Sequence, residues 1–525
     1  MKAFAVLLDR LYYTYSNLGK LALLKEYFAA TSDPDRGYAL GIIAGTIKFP
    51  AFKRSLIREL ISERIDPVLF DLSYDYVGDL SETAALLWPE STLQSSALPS
   101  LEELFQQFNA LNKDQIKKYL TQLLDQSNPI ERWALLKLGT GGLRIGVSAR
   151  FLKQALAQYG GMDIHTIEQI WHALNPPYAE LFTWLEGATA KPDISQSVYF
   201  HPVMLAHPLD DEDLLKIRPE DFSIERKYDG IRVQLVSTLS GKAVYSRTGD
   251  EISLSFPDVL GALDNDIVLD GELVVFKNGK ISSFNDLQQR LNRKTPSKKL
   301  IQESPAHIIL YDALILEGCD IRLKPFIQRR ELLEKWFSQV KPTNMSLSPI
   351  LDFTQQEQLP LLREEVLHEQ NIAIEGLMLK RKDSLYVAGR PTGLWYKWKH
   401  DPFLVDAILM YAQRGHGKRS SFYSDYTFGL MSQDALLPIG KAYSGFTDEE
   451  LSQLDRWIRH HTTNRYGPVR EVEKSLVLEI AFDAVNYSPR HKSGIALRFP
   501  RVNRIRWDKP AAEIDDIEYL KKLIK

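Results

Sequence analysis

Residues Asp221 to Val236 read DFSIERKYDGIRVQLV. Two runs rich in strand-forming residues are joined by a glycine turn at Asp229-Gly230. If Ile224 to Asp229 is extended, Glu225, Lys227 and Asp229 fall on one face. A lysine flanked by two carboxylates at a strand end, followed by glycine, has two readings. One is a ladder of surface ion pairs. The other is a nucleophilic amine attacking a phosphorus or carbonyl centre.

The surrounding sequence has the same texture. From about residue 200 come short β-rich runs: KAVYSRTGD, DIVLDGELVVFKNGKI, HIILYDALIL, EGLMLK and LWYKWK. Asn278-Gly279 between two apolar runs predicts a hairpin turn. A mostly antiparallel sheet with intervening helices is expected here. His400-Asp401-Pro402 marks a break. Beyond it, about five short strands and one helical stretch near Asp448 to Ile458 suggest a small barrel of the OB-fold kind. Before residue 190 the chain reads as helices. Phe4, Leu7, Leu8 and Leu11 follow helical spacing, as do Leu101, Phe105, Phe108 and Leu111. Ser100 with Glu103 predicts a capping box. Pro176-Pro177 and KPDISQS (Lys191 to Ser197) read as a break and a linker. The expected architecture is multidomain α+β: an all-α domain over 1–195, a mixed α/β domain with an antiparallel sheet over 196–401 and an OB-fold β-barrel over 402–525.

Composition agrees. The chain has 525 residues, which at roughly 150 per domain suggests about three to four domains. Net charge is −3 and 44% of residues are hydrophobic. No stretch is broadly basic, so a polyanion would have to be held by local charge placement. A single cysteine, Cys319, excludes a disulfide framework and a four-thiolate zinc site. No apolar run reaches the ~18 residues of a membrane span, and the apolar start of MKAFAVLLDR ends at Asp9. A cytoplasmic chain, complete and without a membrane partner, is expected.

An ordered set of short motifs decides between the two readings of Lys227. Arg247 lies in SRTGD, Asp270-Gly271-Glu272 in LDGELV, and Tyr311-Asp312 after an apolar run. Glu375-Gly376 opens EGLMLK. Lys397 and Lys399 alternate with Tyr396 and Trp398 in WYKWK, so the lysines share one face. Arg506, Asp508 and Lys509 close the barrel region in RIRWDK. This order and spacing resembles the covalent nucleotidyltransferases: ATP-dependent DNA ligases, RNA ligases and mRNA capping enzymes. A single such motif is unspecific; six in order are specific. WALLKLGTGGLRIGVSAR (Trp133 to Arg150), HPVMLAHPL, SFNDLQQRLNRK (Ser283 to Lys294) and RHKSGIALRFPRVNRIRWDK (Arg490 to Lys509) are similar to ATP-dependent DNA ligases of the bacterial or archaeal kind. The resemblance covers nearly the whole chain.

The resemblance implies roles. The 1–195 segment would be a DNA-binding domain and 196–401 the adenylation domain. Lys227 would attack the α-phosphorus of ATP and release pyrophosphate. AMP would pass to the 5′-phosphate of a nick, and the 3′-hydroxyl would displace it. Arg232, Lys397 and Lys399 would depress the Lys227 pKa and hold the α-phosphate. Glu272 and Glu375 would bind Mg2+ (or Mn2+), with Glu272 alternatively touching the ribose. Tyr311, where the family more often has Phe, would stack on adenine. Glu225 would read adenine through a backbone group. Arg247 would sit near the ribose or DNA phosphate, and Arg390 would be a further phosphate contact. Arg506 and Lys509 would orient pyrophosphate when the barrel swings closed.

For DNA, the expected contacts are Arg144 with Gly142 and Gly146, Arg290 and Arg293, Lys418 and Arg419, and Arg498, Arg501 and Arg504. The partner would be a nicked duplex, and the enzyme a monomer. Without a DNA role, the Arg144 segment is a turn between helices, the Gly415–Arg419 stretch a loop between strands, and the basic run after Arg490 a solvated strand face. GTGGLRIG lacks the dinucleotide spacing, GHGKR lacks the Walker pattern, His460-His461 reads as surface and Cys319 as a core thiol. The long helical N-terminus argues against capping enzymes and RNA ligases. One cysteine argues against an NAD-dependent ligase with its zinc finger. A DNA-end-binding scaffold is disfavoured because each candidate catalytic position holds a competent residue.

Overall fold

The computed structural model describes the chain apart from residues 50–52, 90–97, 141, 195–196, 262, 264–265, 278, 292, 294, 370–372, 415–422, 433–434, 444, 489–490 and 525, and apart from the side chains at 75, 76, 113, 165, 169 and 285. It falls into two compact units. One gathers Met1–Ile164, Asn175–Ala190 and Asp401–Lys525; the other holds His165–Leu174 and Lys191–His400.

The N-terminal part of the first unit is helical, as its spacing predicts. Phe4, Leu7, Leu8 and Leu11 are all buried on one stripe of the Lys2–Tyr13 helix. The Ser100 capping box forms: Ser100 Oγ accepts from the Glu103 N–H at 3.1 Å, and Glu103 Oε2 accepts from the Ser100 N–H at 2.8 Å. Asn112 and Gln115 make a second one. Arg36, nearly buried, ties the segment's two ends together through Asp33 at 2.7 Å and through Glu186. Among the described residues no helix is long and apolar enough to cross a membrane.

The C-terminal part is a curled β-structure. The 12-residue Phe403–Arg414 strand pairs along one edge with Tyr423–Ser432. Along the other edge its first half pairs with Val477–Phe482 and its second half with Val469–Val472. A strand that serves two successive partners must coil, which closes the sheet around Leu409, Tyr426, Phe428, Leu478 and Ile480. The Asp448–His460 helix plugs this core with Leu454 and Ile458. The barrel is of the OB-fold type, as expected.

The second unit contains two sheets. One orders the strands His207–Pro208, Trp395–Lys399, Ile374–Arg381, Phe222–Tyr228 and Ile350–Leu351. The other runs through Gly241–Ser246, Ile231–Thr238, Ile267–Lys277 and Ala306–Leu316. Among the described strands, pairing is antiparallel except for two short parallel pairs. Lys277 pairs with Lys280; Asn278 of the predicted turn lies outside the described residues. Cys319 departs from expectation. It is exposed, because it follows the Glu317-Gly318 turn on a two-residue edge strand rather than entering the core.

Candidate active site

The chain passes from one sheet to the other between Phe222–Tyr228 and Ile231–Thr238, at Asp229-Gly230. Glycine is required there. A Cβ at 230 would lie 2.5 Å from the Leu273 carbonyl oxygen and 2.8 Å from Glu272 Cγ. The close approach brings the end of the Lys227 strand against the strand that carries Glu272.

Glu375 meets Lys227 through a β-bulge. Tyr228 pairs with Ile374 and Lys227 with Gly376, leaving Glu375 as the extra residue. A bulge re-aims a side chain. Gly376, at φ 143°, allows it: a Cβ there would sit 2.1 Å from the Trp398 carbonyl oxygen. The Glu375 carboxylate takes the Lys227 ammonium on one oxygen and Lys399 Nζ, at 2.9 Å, on the other. Burial pushes the Glu375 carboxyl up, but Lys227 and Lys399 outweigh it and hold its pKa down to about 2.

Trp395–Lys399 alternates as its sequence predicts. Tyr396 and Trp398 pack with Phe222, Ile224 and Leu377, while Lys397 and Lys399 lie on the face of Lys227. The Lys397 amine is held below the ordinary lysine range, first by burial and then by Lys227, Lys399, Arg390 and Arg247. Among the described residues Lys397, Arg390 and Arg247 have no carboxylate partner. A cluster of cations with so little compensation is a site for a polyanion.

The floor beside these cations is aromatic and densely paired. Arg232 grips Asp270 with Nε at 3.0 Å and Nη2 at 2.6 Å, and donates to the Met204 carbonyl at 2.6 Å. Tyr386 donates to the same Asp270 carboxylate at 2.6 Å. The Arg232 guanidinium is therefore already matched, and lies 5.8 Å from the Tyr311 ring centre. Lys380 Nζ lies 4.2 Å from the Tyr311 centroid, 3.0 Å from Glu225 Oε1 and 3.4 Å from the Tyr311 carbonyl oxygen. Glu225 and Lys380 are both almost fully buried. The Glu225 side chain, expected to matter only through its backbone, thus anchors the lysine that backs Tyr311. Asp312 turns away into a buried pair with Arg329 at 2.8 Å.

Glu272 faces Arg232 across the strand ladder. Burial pushes its carboxyl up to about 7; Lys227 and Arg232 oppose the shift, and Glu375 and Asp229 add to it. Among the described residues no group of three or more His, Cys, Asp or Glu is arranged as a metal shell. Glu272 and Glu375 are two hard oxygen donors beside the same lysine. That set suits a magnesium ion completed by substrate oxygens and water.

Sequence reading left Lys380, Asp270 and Tyr386 out of the site. A lysine within the apolar LMLK run was the signal for the first; the second stands beside Glu272 in the quoted LDGELV motif. Tyr386 carries no sequence signal.

The expected DNA contacts divide. Arg144 is exposed at φ 51°, in the turn that holds Gly142 and Gly146 between two helices; Lys20 pins this turn by donating to the Ile145 carbonyl at 2.5 Å. Arg293 is exposed. Arg290 is not available to DNA. It is 0% exposed and grips both Asp258 oxygens, at 2.6 and 2.8 Å, so it clamps the Phe284–Leu291 helix to the domain core. Arg501 pairs with Asp483 and Arg504 with Glu479. Arg506 and Lys509 both reach Asp406, at 3.3 and 2.7 Å. Arg498 lies beside Phe499. Lys418 and Arg419 fall outside the described residues.

Family comparisons match this layout segment by segment. The family model "DNA ligase N terminus" matches residues 1–157, "ATP dependent DNA ligase domain" matches 203–399, and "ATP dependent DNA ligase C terminal region" matches 419–509. A "Probable DNA ligase" of Koribacter versatilis is 34% identical over 466 residues, covering 83% of this chain and 79% of that protein. The chain belongs to the ATP-dependent DNA ligase family. "DNA ligase 1" of Korarchaeum cryptofilum is 28% identical and covers 100% of this ligase and 98% of its own length. The solved structure Pmar-Lig_PreS3 shares the fold at TM-score 0.63 and 18% identity, covering 96% of this chain and 99% of that one. The ligase uses ATP to seal breaks in duplex DNA through a lysyl-AMP intermediate and then adenylated DNA, as its family does. Capping, RNA-ligase, NAD-dependent and scaffold readings are thereby set aside.

Proposed function

We propose that Lys227 is the residue that carries AMP. The supporting observation is that Lys227 and Lys399 share the Glu375 carboxylate while Lys397, close to both, also feels Arg390 and Arg247, beside the Tyr311 floor. Adenine lies on Tyr311, whose ring is braced by Lys380. The triphosphate lies across Lys397, Lys399, Arg390 and Arg247.

Attack requires the neutral amine. A free lysine titrates near ~10.4, so about three pH units, roughly 4 kcal/mol, oppose that form at pH 7. Lys227 Nζ then forms a P–N bond to the α-phosphorus as the α–β P–O bond breaks, and pyrophosphate departs with the electron pair. The 5′-phosphate of the nick next displaces Lys227 from AMP, and the amine regains a proton. Last, the 3′-hydroxyl attacks that phosphate and AMP leaves.

Glu272 and Glu375 would hold a magnesium or manganese ion. When bound, such an ion neutralises charge on the departing pyrophosphate. Arg506 and Lys509 orient the pyrophosphate. Arg144, Gly142, Gly146, Arg293, Arg498, Arg501 and Arg504 meet the backbone of a nicked duplex, with the enzyme acting as a cytoplasmic monomer.

The experiment is incubation with α-phosphate-labelled ATP and magnesium. A covalent adduct is expected in the wild type and absent in Lys227→Ala. Sealing of a nicked duplex is expected with ATP and not with GTP or NAD. An adduct that survives Lys227→Ala overturns the assignment.

A further inference from the structure

The barrel carries a second cluster of cations that the ligation chemistry leaves unused. Arg414, Arg459, Arg465 and Arg470 line one pocket with Tyr423 and Thr462, and Leu72 of the Pro67–Val77 helix forms its rim. The residues come from four separate elements. Arg414 ends the long Phe403–Arg414 strand and pairs with Tyr423, the first residue of the next strand. Arg459 lies in the last turn of the Asp448–His460 helix. Arg465 and Arg470 stand directly opposite each other in the Thr462–Tyr466 and Val469–Val472 hairpin.

Three observations point to a ligand. Like charges directly opposite on paired strands are destabilising, yet Arg465 faces Arg470. The lining contains four guanidinium groups and, among the described residues, no carboxylate. The acid behind it, Asp455, is engaged by Arg459 at 2.6 Å and by the Tyr423 N–H at 3.2 Å. Finally, among the described residues Arg414 Nε is buried without a hydrogen-bond partner and Arg465 has no ion-pair partner. Arg470 Nη1 donates to the Gly467 and Val469 carbonyls at 2.7 and 3.4 Å, which fixes its place in the lining. Planar donors held this way match phosphate oxygens.

We propose that Arg414, Arg459, Arg465 and Arg470 form a binding site for a phosphate-type oxyanion. Two sources share this chemistry: a phosphodiester of a DNA strand, and free pyrophosphate. The inference does not depend on the assignment of Lys227, because its readouts are binding and not adenylation.

Full-length wild type, Arg465→Gln, Arg465→Lys and Arg414→Gln are compared, with formation of the AMP adduct as the control for intact folding. In one arm, affinity for a nicked duplex is measured by anisotropy from 50 to 200 mM salt. If the source is DNA, both glutamine variants bind several-fold more weakly, with a log–log salt slope shallower by about one, and the lysine variant keeps the slope. In the other arm, sodium pyrophosphate is titrated while Tm is followed. If the source is free pyrophosphate, it stabilises the wild type more than either glutamine variant. Either response supports the site. Unchanged duplex affinity and slope, together with equal pyrophosphate stabilisation in all variants, overturns it.

Discussion

Glu375 holds the Lys227 ammonium only because it is the extra residue of a bulge: its neighbours Ile374 and Gly376 pair with Tyr228 and Lys227, and it pairs with neither. One carboxylate then serves two lysines. Glu375→Gln keeps the shape and removes the charge, so Lys227 and Lys399 lose the carboxylate that positions them and the proposed cation loses one of its two carboxylate donors. Formation of the AMP adduct is expected to fall by about a hundredfold or more, on the scale of losing one electrostatic contact to the reacting groups. Single-turnover adenylation with labelled ATP measures it, and a rate within threefold of wild type contradicts the role.

Gly376 makes the bulge possible. In Gly376→Ala the new methyl group would meet the Trp398 carbonyl in a backbone conformation that alanine rarely adopts. The strand has to shift, at a cost of order 1–3 kcal/mol or more. A lower urea midpoint and loss of adenylation are expected together. Adenylation at the wild-type rate would show that the aim of Glu375 does not depend on the bulge.

Lys380 predicts a separable effect. Lys380→Met leaves Glu225 as a buried charge without its partner, which costs roughly 3–5 kcal/mol. The double variant Glu225→Leu/Lys380→Met removes both charges and is expected to recover most of that stability. Its KM for ATP should stay raised, because Tyr311 has lost the cation behind its ring. Denaturant unfolding and adenylation kinetics at varied ATP test the two halves.

Much of this site was legible in the chain. The Lys397/Lys399 alternation follows from period, whereas the KYDG lysine and the Glu375-Gly376 pair were legible through their order among motifs that resemble those of the covalent nucleotidyltransferases. The register shift at Glu375 was not legible, because a bulge is decided by the neighbouring strand. Arg290 was misread for a related reason. An arginine in QQRLNRK resembles a surface cation until Asp258, 32 residues earlier in sequence, is seen to grip it. Lys380 was hidden because a buried ion pair needs both partners, and Glu225 lies 155 residues away. The helical and barrel segments were easier, since capping boxes and apolar periodicity are local signals.

His201 gives a pH prediction. It is 4% exposed. Burial, helped by Arg322, lowers its imidazole pKa to about 3. Below about 6.5 the unfolded chain takes up a proton that the folded chain refuses. Stability contributed by this group is therefore fully present above pH 6.5 and falls as pH drops toward 3, by a few kcal/mol in all. His201→Asn should flatten that part of the stability profile. Urea unfolding at pH 7.5, 6, 5 and 4 measures it, and parallel profiles for the two proteins would contradict the assignment.

The most direct test of the central claim is peptide-level mass spectrometry of the ligase after treatment with ATP and magnesium. The account predicts one adenylyl group, on Lys227 within the Arg226–Arg232 stretch. An adenylyl group on Lys397, Lys399 or any other residue, or an unmodified chain, would contradict it.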